Sequence, residues 1–209
     1  MAKEKKSKCA RCRREGEKLF LKGDRCGTAK CAFTRRSYPP GVHGPKGKVR
    51  LTGYGTQLRE KQKARRIYSI LEKQFKNYFI KASKKKGDTS DFLLQLLEMQ
   101  LDNVVYRLGF ARSRQQARQV VGHGLIFVNN KKVNIPSFQV KAGQTISIKP
   151  SMLEKPLFQN LPQILKKHET PNWLAMDIVK LEGKVLGTPK KEEVKTQFDP
   201  KLIVEFYSR

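Results

Sequence analysis

Acidic residues are scarce in this chain of 209 residues, where 18 Asp and Glu stand against 45 Lys and Arg, for a net charge of +27. So much unbalanced charge repels itself in a compact fold unless a partner neutralises it. Nucleic acid is the usual partner, because each neutralised phosphate releases a condensed counterion. Charge alone leaves two alternatives open: a free-standing basic protein, and a protein that lies on an anionic membrane.

Long apolar runs and catalytic motifs are also missing. No run of about 18 apolar residues is present, so we expect no membrane-spanning helix. The first residues lack the apolar stretch of a signal peptide, which favours a cytoplasmic protein with reduced thiols. His43, His123 and His168 are far apart in sequence, and no phosphate-binding loop or dinucleotide fingerprint occurs. We therefore expect no enzyme, no membrane partner and no small-molecule substrate.

The positive charge is concentrated in the first part of the chain. Residues 1–86 carry 27 basic and six acidic side chains, whereas residues 87–209 carry 18 and 12. The first part is therefore mostly electrostatic surface, and the second part has the charge balance of an ordinary folded domain. The length allows two small domains.

The four cysteines, Cys9, Cys12, Cys26 and Cys31, all lie near the start of the chain. The spacing C-x2-C-x13-C-x4-C can place four thiolates around one tetrahedral zinc ion, and neighbouring cations favour the thiolate form. An iron–sulfur cluster is the alternative metal centre, and free thiols or disulfides are the alternatives to any metal. With four protein ligands, such a site would be structural. We therefore predict a metal knuckle over residues 1–36.

Periodicity predicts a helix after a turn-rich segment. Residues 37–55 are rich in Pro and Gly and form either a segment that follows phosphates or a plain linker. From Thr56 to about Lys85 one apolar stripe predicts a single helix with a cationic opposite face. Only Glu60 and Glu72 are nearby acids, so we expect these cations to face phosphate. The stripe consists of Ile67, Leu71, Phe75, Tyr78 and Ala82.

The second part of the chain has mixed periodicity. A stripe that begins at Leu93 predicts a second helix from about Asp91 to Gly109, and Ser113 with Gln116 predicts the start of a third. Strands follow on both sides of Asn129-Asn130, where a tight hairpin is plausible, and at 144–149. Residues 150–191 read only as loops and short strands, and the tail 202–207 is apolar enough to dock on a core.

Long strings along nearly the whole chain carry a family resemblance. They include Leu21-Lys22-Gly23-Asp24-Arg25-Cys26, Tyr38-Pro39-Pro40-Gly41-Val42-His43-Gly44, Gln57-Leu58-Arg59-Glu60-Lys61-Gln62-Lys63, Leu101-Asp102-Asn103-Val104-Val105-Tyr106-Arg107-Leu108-Gly109-Phe110-Ala111, Ile135-Pro136-Ser137 and the closing Glu205-Phe206-Tyr207-Ser208-Arg209. With the four cysteines, they resemble the bacterial small-subunit ribosomal protein S-four family, in its cysteine-containing, zinc-type subset. Three residues depart from the family's common pattern: Met99-Gln100 replaces two frequent arginines, and Asn130 replaces a frequent hairpin glycine.

The resemblance implies an α+β fold with two domains after the metal knuckle. A mostly helical domain would comprise residues 37–91 and 192–209, and an α+β domain, 92–191, would contain the RNA-binding module at about 99–149. The resemblance also implies early binding to the 5′ domain of 16S ribosomal RNA, which organises subunit assembly. It places the chain beside proteins S-three and S-five, near the channel through which mRNA enters, with an influence on translational accuracy.

We expect recognition of RNA by shape and backbone, since side chains cannot read the deep major groove of A-form RNA. Arg112, Arg114 and Arg118 are the leading candidates, because few acids are near enough to pair with all three. The full candidate set is Arg35, Arg36, Lys46, Lys48, Arg50, Arg59, Lys63, Arg65, Arg66, Lys73, Arg112, Ser113, Arg114, Arg118, His123 and Lys132. An RNA-modifying enzyme, for which Leu101-Asp102 is a faint signal, and a zinc-knuckle transcription factor are the other classes considered.

Overall fold

The computed structural model describes residues 7–47, 50–194 and 196–209. The chain divides into two compact units, Met1–Leu94 with Thr196–Arg209, and Gln95–Lys195. The division falls inside a helix, and the cysteine segment belongs to the first unit. None of the described helices is long and apolar enough to cross a membrane.

The secondary structure is mixed, as the α+β prediction requires. The helices are α1 (Lys8–Glu15), α2 (Ala32–Arg35), α3 (Gly53–Ile67), α4 (Glu72–Ser83), α5 (Thr89–Glu98), α6 (Leu101–Arg107), α7 (Arg114–Gly122), α8 (Leu161–Lys166) and α9 (Pro200–Tyr207). The strands are β1 (Ile126–Val128), β2 (Lys131–Val133), β3 (Thr145–Ile148), β4 (Leu174–Asp177) and β5 (Glu182–Val185). The first unit is helical, and the strands all lie in the second.

The single helix predicted from Thr56 to Lys85 is in fact two helices, α3 and α4. The chain turns between them at Ser69, which has a φ of +55°. Leu71, predicted to belong to the apolar stripe, is the residue before α4 and is 42% exposed. The prediction failed because the apolar spacing continues across the turn, so periodicity alone did not reveal the break.

The predicted helix from Asp91 to Gly109 is also broken, between α5 and α6. Met99 and Gln100 leave the helix and pair with a neighbouring segment instead. The N–H of Val140 donates to the Met99 carbonyl at 2.9 Å, and Gln100 forms an isolated bridge with Gln139. The apolar residues at Leu101, Val104 and Leu108 are fully buried, so the stripe was correctly read as core.

The second unit is built on a five-stranded antiparallel sheet with the order β2-β1-β3-β5-β4. The predicted hairpin is confirmed, since Asn129 and Asn130 both have positive φ, 48° and 61°. The side chain of Asn129 also accepts a hydrogen bond from the N–H of Thr145 at 2.8 Å. Helices α6 and α7 share one apolar core with this sheet.

Residues 150–191, which the sequence resolved only as loops and short strands, complete that core. They contain α8 and the hairpin of β4 and β5, which extends the sheet beyond β3. Gly183 in β5 lies directly under Leu108, where a Cβ would clash with the leucine side chain. A close approach of this kind requires glycine and leaves no periodic signal in the sequence.

The C-terminal tail docks on the first unit, as its apolar character predicted. It does so as helix α9, which packs against α3 and α4, with Ile203 fully buried. Asp199 caps α9 by accepting from the N–H of Lys201 at 2.9 Å, and Pro200 occupies the first turn. Tyr207 stacks on Phe75 and Phe79. The first unit is therefore closed by the end of the chain.

Candidate nucleic-acid interface

Helix α7 is fixed at both ends in the way the sequence indicates. The Ser113 hydroxyl accepts from the N–H of Gln116 at 3.3 Å, whereas the Gln116 side chain accepts from the N–H of Arg112 at 2.9 Å. The helix therefore has a serine cap, with the reciprocal bond shifted by one residue from the usual capping box. Gly124 follows with a φ of +68° and stops the helix. Ser113 itself is buried and caps the helix through this hydrogen bond, and its predicted contact with RNA stays a prediction.

Ion pairs were not expected to account for all three of Arg112, Arg114 and Arg118, and the structure pairs two of them with buried carboxylates. Arg118 donates from Nη1 to Asp102 Oδ2 at 2.9 Å. Arg114 donates from Nε to Asn103 Oδ1 at 2.7 Å, and its Nη2 lies 3.9 Å from Glu98 Oε1. The sequence identified Asp102 as the nearest acid, but it did not reveal the break between α5 and α6 that brings Glu98 to α7. The RNA-binding role of these arginines stays a prediction.

The same geometry bears on the faint enzymatic signal at Asp102. Its side chain is 5% exposed and bonded to Arg118. Burial raises the pKa of this carboxyl to about 6, against the opposing influence of Arg118 and Arg114. Asp102 therefore links α6 to α7 through Arg118, and its buried side chain is not placed to touch a substrate.

Arg112, His123 and Lys132, of the predicted set, are exposed on the second unit. Lys132, in β2, lies across Gly124, where an added Cβ would clash with the lysine Cε. The missing side chain at Gly124 thus brings the β1–β2 hairpin and the end of α7 together. Within the part of the chain that the structure describes, neither His123 nor Lys132 is paired with a carboxylate, so both can contact a phosphate directly.

The cations of α3 were expected to face phosphate, but most are paired inside the first unit. Arg59 lies 3.4 Å from Glu15, and Arg66 also donates to Glu15, whose side chain is completely buried. Lys63 donates to Glu60 at 2.7 Å and to Glu17 at 3.0 Å. The prediction that too few acids were available is wrong, because α1 and the turn after it supply two more.

A second cluster of charge lies where α3 meets α4 and α9. Glu72 accepts from Lys61 at 2.7 Å, from Arg65 at 3.3 Å and from the Tyr207 hydroxyl at 2.7 Å. Burial raises the pKa of Glu72, but the hydrogen bonds from Lys61 and Tyr207 outweigh it and hold that pKa below its ordinary value. Arg65, a predicted RNA ligand, therefore has a structural contact as well.

Helix α4 has an exposed cationic face opposite its apolar stripe, and most of its lysines were not among the predicted RNA-binding residues. Phe75, Tyr78 and Ala82 are buried on one side. The opposite side carries the lysines that we call the α4 lysine face: Lys73, Lys76, Lys81 and Lys84, all exposed. Within the described part of the chain, none of these four lysines has an ion-pair partner. Only Lys73 was in the predicted set, although the 3.6-residue period could have identified the others.

The segment before α3, residues 37–55, makes specific contacts with α1, unlike a plain linker. Arg13 donates to the carbonyls of Tyr38 at 2.9 Å and Pro39 at 3.3 Å, and lies over the Tyr38 ring. The remaining predicted cations are distributed along this region, with Arg35, Arg36, Lys46 and Arg50 all exposed, whereas Lys48 lies outside the described residues.

The four cysteines come near one another without forming a metal site. Cys12, Cys26 and Cys31 are buried, and Cys9 is half-buried. Burial raises the pKa of Cys12, a backbone hydrogen bond with Leu19 lowers it, and the nearby Cys26, Cys9 and Cys31 raise it further. The N–H of Lys22 donates to Cys26 Sγ at 3.4 Å. Among residues 7–47, 50–194 and 196–209, however, no three His, Cys, Asp or Glu lie close enough together to hold a metal ion. The predicted knuckle is therefore not supported by this geometry.

Comparison with known proteins gives matches along the whole chain. The family described as "Ribosomal protein S4/S9 N-terminal domain" matches residues 3–98, and the "S4 domain" family matches residues 99–146. A "Small ribosomal subunit protein uS4" from Syntrophomonas wolfei subsp. wolfei is 54% identical over 203 residues, which cover 97% of each chain.

Two further relatives carry the same name. The protein from Halothermothrix orenii is 53% identical over 209 residues, which cover both chains completely. The protein from Heliobacterium modesticaldum is 52% identical over 201 residues, or 96% of each chain. Since such identity extends over the helical unit and the sheet unit alike, the chain belongs to the small ribosomal subunit protein uS4 family.

Proposed function

We propose that this chain is a structural constituent of the small ribosomal subunit and binds ribosomal RNA. The relatives are small ribosomal subunit proteins by name, and the second unit carries the S4 domain. The role is structural and not enzymatic, and the protein acts in the bacterial ribosome. Binding of 16S ribosomal RNA follows from this assignment.

The α4 lysine face is the observation that carries the proposal. The cations of α3 have carboxylates to neutralise them, whereas the exposed lysines of α4 have no ion pair with any residue that the structure describes. Four uncompensated charges along one helix face repel one another, and phosphates relieve that repulsion. Arg112, His123 and Lys132 offer a second basic surface on the other unit.

The test is a titration of naked 16S ribosomal RNA with the full chain, combined with backbone footprinting. The variant changes Lys73, Lys76, Lys81 and Lys84 to Gln, and a charge-matched control changes the exposed Lys155, Lys166, Lys167 and Lys180 to Gln. We expect the α4 variant to weaken binding at least tenfold more than the control and to lose protections at specific nucleotides. Equal weakening of both variants would mean that only total charge matters.

The finer role proposed for the chain is early binding to the 5′ domain of 16S ribosomal RNA, which would organise assembly. The support is its basic surface and its family. A position beside proteins S-three and S-five, near the channel through which mRNA enters, and an influence on accuracy belong to the same proposal. Subunit reconstitution without the chain should stall before later proteins join. Cross-linking in the finished subunit should reach those two neighbours and mRNA, and normal assembly without the chain would contradict the proposal.

We also propose that Cys9, Cys12, Cys26 and Cys31 hold one structural zinc ion, with an iron–sulfur cluster as the alternative. The support is the spacing of the four cysteines in the sequence. In the structure, Cys9, Cys26 and Cys31 also lie near enough to Cys12 to raise its pKa. The sulfur atoms must draw closer together than they lie here. Anaerobically purified protein should contain about one zinc per chain, and the double change of Cys9 and Cys12 to Ser should abolish it. Wild-type protein that contains no metal when purified anaerobically, or a double variant that melts at the wild-type temperature, would contradict the proposal.

A further inference from the structure

We propose that Glu98 and Asp102 are positioning residues for RNA binding, because they hold Arg114 and Arg118 ready for phosphate. The inference rests on the proposed ribosomal RNA-binding function and adds a role for acidic side chains in it. A simple count of charge would assign these carboxylates the opposite effect, since every acid on a basic protein opposes a polyanion.

Glu98 organises a compact network at the end of α5. Its side chain is completely buried. Arg107 donates to both of its oxygens, from Nε and Nη2, at 2.9 Å each. Asn103 Nδ2 donates to Glu98 Oε2 at 2.9 Å, which turns the Asn103 oxygen toward Arg114. Glu98 therefore acts on Arg114 both directly, at 3.9 Å, and through Asn103.

Arg114 is held on three sides by this arrangement. Its Nε donates to Asn103, its Nη2 lies near Glu98, and its guanidinium lies 4.6 Å from the centre of the Tyr106 ring. Even so, 19% of its side chain remains exposed. A guanidinium has five N–H donors, so a side chain anchored in this way can still offer donors to a phosphate.

Asp102 does the same for Arg118. Its carboxylate accepts from Arg118 Nη1 at 2.9 Å, and 23% of the Arg118 side chain remains exposed. Because Arg114 and Arg118 are one turn apart on α7, the two anchored guanidiniums are neighbours on one face. Their spacing is therefore set by two buried acids and not by the binding of RNA.

The contacts of this network join two carboxylates, on Glu98 and Asp102, to three guanidiniums, on Arg107, Arg114 and Arg118. The guanidiniums of these contacts thus outnumber the carboxylates. An arginine that is already ordered loses less conformational freedom when it binds than one that is free, and preorganisation of this kind strengthens binding.

The test compares Glu98→Gln and Asp102→Asn with Glu154→Gln, which removes an exposed acid in the same unit. RNA affinity is measured at several salt concentrations and corrected for the folded fraction from a melt of the same preparation. If charge alone acts, all three variants bind more tightly. Positioning requires that the first two bind at least fivefold more weakly than wild type while the control binds equally or more tightly. It also requires that their salt slope falls by about one phosphate contact, which a purely structural loss corrected for folding would not change.

A second variant covers the case in which loss of a buried carboxylate prevents folding. Tyr106→Leu keeps the apolar bulk beside Arg114 and the net charge but removes the ring under the guanidinium. We expect about threefold weaker RNA binding with a melt close to wild type. Unchanged binding by this variant, or tighter binding by the two acid variants, would overturn the inference. Failure of the wild-type chain itself to bind ribosomal RNA would instead overturn the proposed function.

Discussion

Three buried carboxylates, on Glu15, Glu98 and Asp102, each face an arginine. Their side chains are 0%, 0% and 5% exposed. An ionised carboxylate is costly to bury, so each of them depends on its partner. The dependence is mutual, because removing the acid leaves a guanidinium largely withdrawn from solvent without the carboxylate that faces it. In a chain this basic, the positions of the few acids therefore determine which arginines form ion pairs inside the folded protein.

Glu15 gives the first prediction at this scale. The change Glu15→Gln leaves Arg59 and Arg66 without their shared carboxylate, and breaking a buried pair costs about 3–5 kcal/mol. We expect that loss in the free energy of unfolding of the first unit, measured by urea denaturation. Glu17→Gln is the control, because the Glu17 side chain is 48% exposed and its pair with Lys63 contributes at most about 1 kcal/mol. Equal effects of the two changes would contradict the structure.

Asp102 gives a prediction on pH. Burial raises the pKa of Asp102 to about 6 in the folded chain, so the folded state takes up its proton at higher pH than the unfolded state does. The stability that this group contributes is therefore present at low pH and is lost as pH rises through about 6. The melting temperature of Asp102→Asn relative to wild type should rise between pH 4 and pH 7. A constant difference across that range would show that Asp102 titrates normally.

Helix α9 completes the first unit although it is far from α3 and α4 in the sequence. Its contacts reach residues far away in sequence: Gln57 Nε2 donates to Glu205 at 2.9 Å, and the Tyr207 hydroxyl donates to Glu72 at 2.7 Å. Ile203 is fully buried between these polar contacts. The closing residues of the chain therefore belong to the core of the first unit.

The prediction for this element concerns Ile203. The change Ile203→Ala removes three buried carbon atoms and should destabilise the first unit by about 2–5 kcal/mol. The second unit should keep its melting temperature, since its core is built from other residues. Lys201→Ala, at an exposed position of the same helix, should change stability by less than about 0.5 kcal/mol. Hydrogen exchange resolves the two units, and uniform loss of protection in both would refute this prediction.

For the whole molecule, the net charge of +27 is what remains after all 18 acids have been subtracted from the 45 cations. The acids that pair with the cations of α3 and α7 are included in that figure, so the uncompensated positive charge lies on surfaces such as the α4 lysine face. If about 6–10 phosphates are neutralised, affinity should fall by about 10³ to 10⁵ between roughly 50 and 200 mM salt. A titration series with 16S ribosomal RNA measures this slope. A nearly flat dependence would mean that most of these cations face solvent in the complex.

The sequence by itself determined the charge, the α+β class, the Asn129-Asn130 hairpin and the serine cap of α7. Each of these depends on composition or on residues a few positions apart. The family was also readable, because its strings are long and continuous. Zinc, the neighbouring proteins and the individual RNA contacts stay predictions.

Only the tertiary structure decided where the helices break and which cations are free. The stripe through Ile67 and Phe75 continues in register across the turn at Ser69, so no local pattern marked the break. Arg59 and Arg66 meet Glu15 across 44 and 51 residues. An ion pair depends on distance in space, whereas a sequence gives only distance along the chain. The sequence therefore could not distinguish the paired cations of α3 from the exposed lysines of α4.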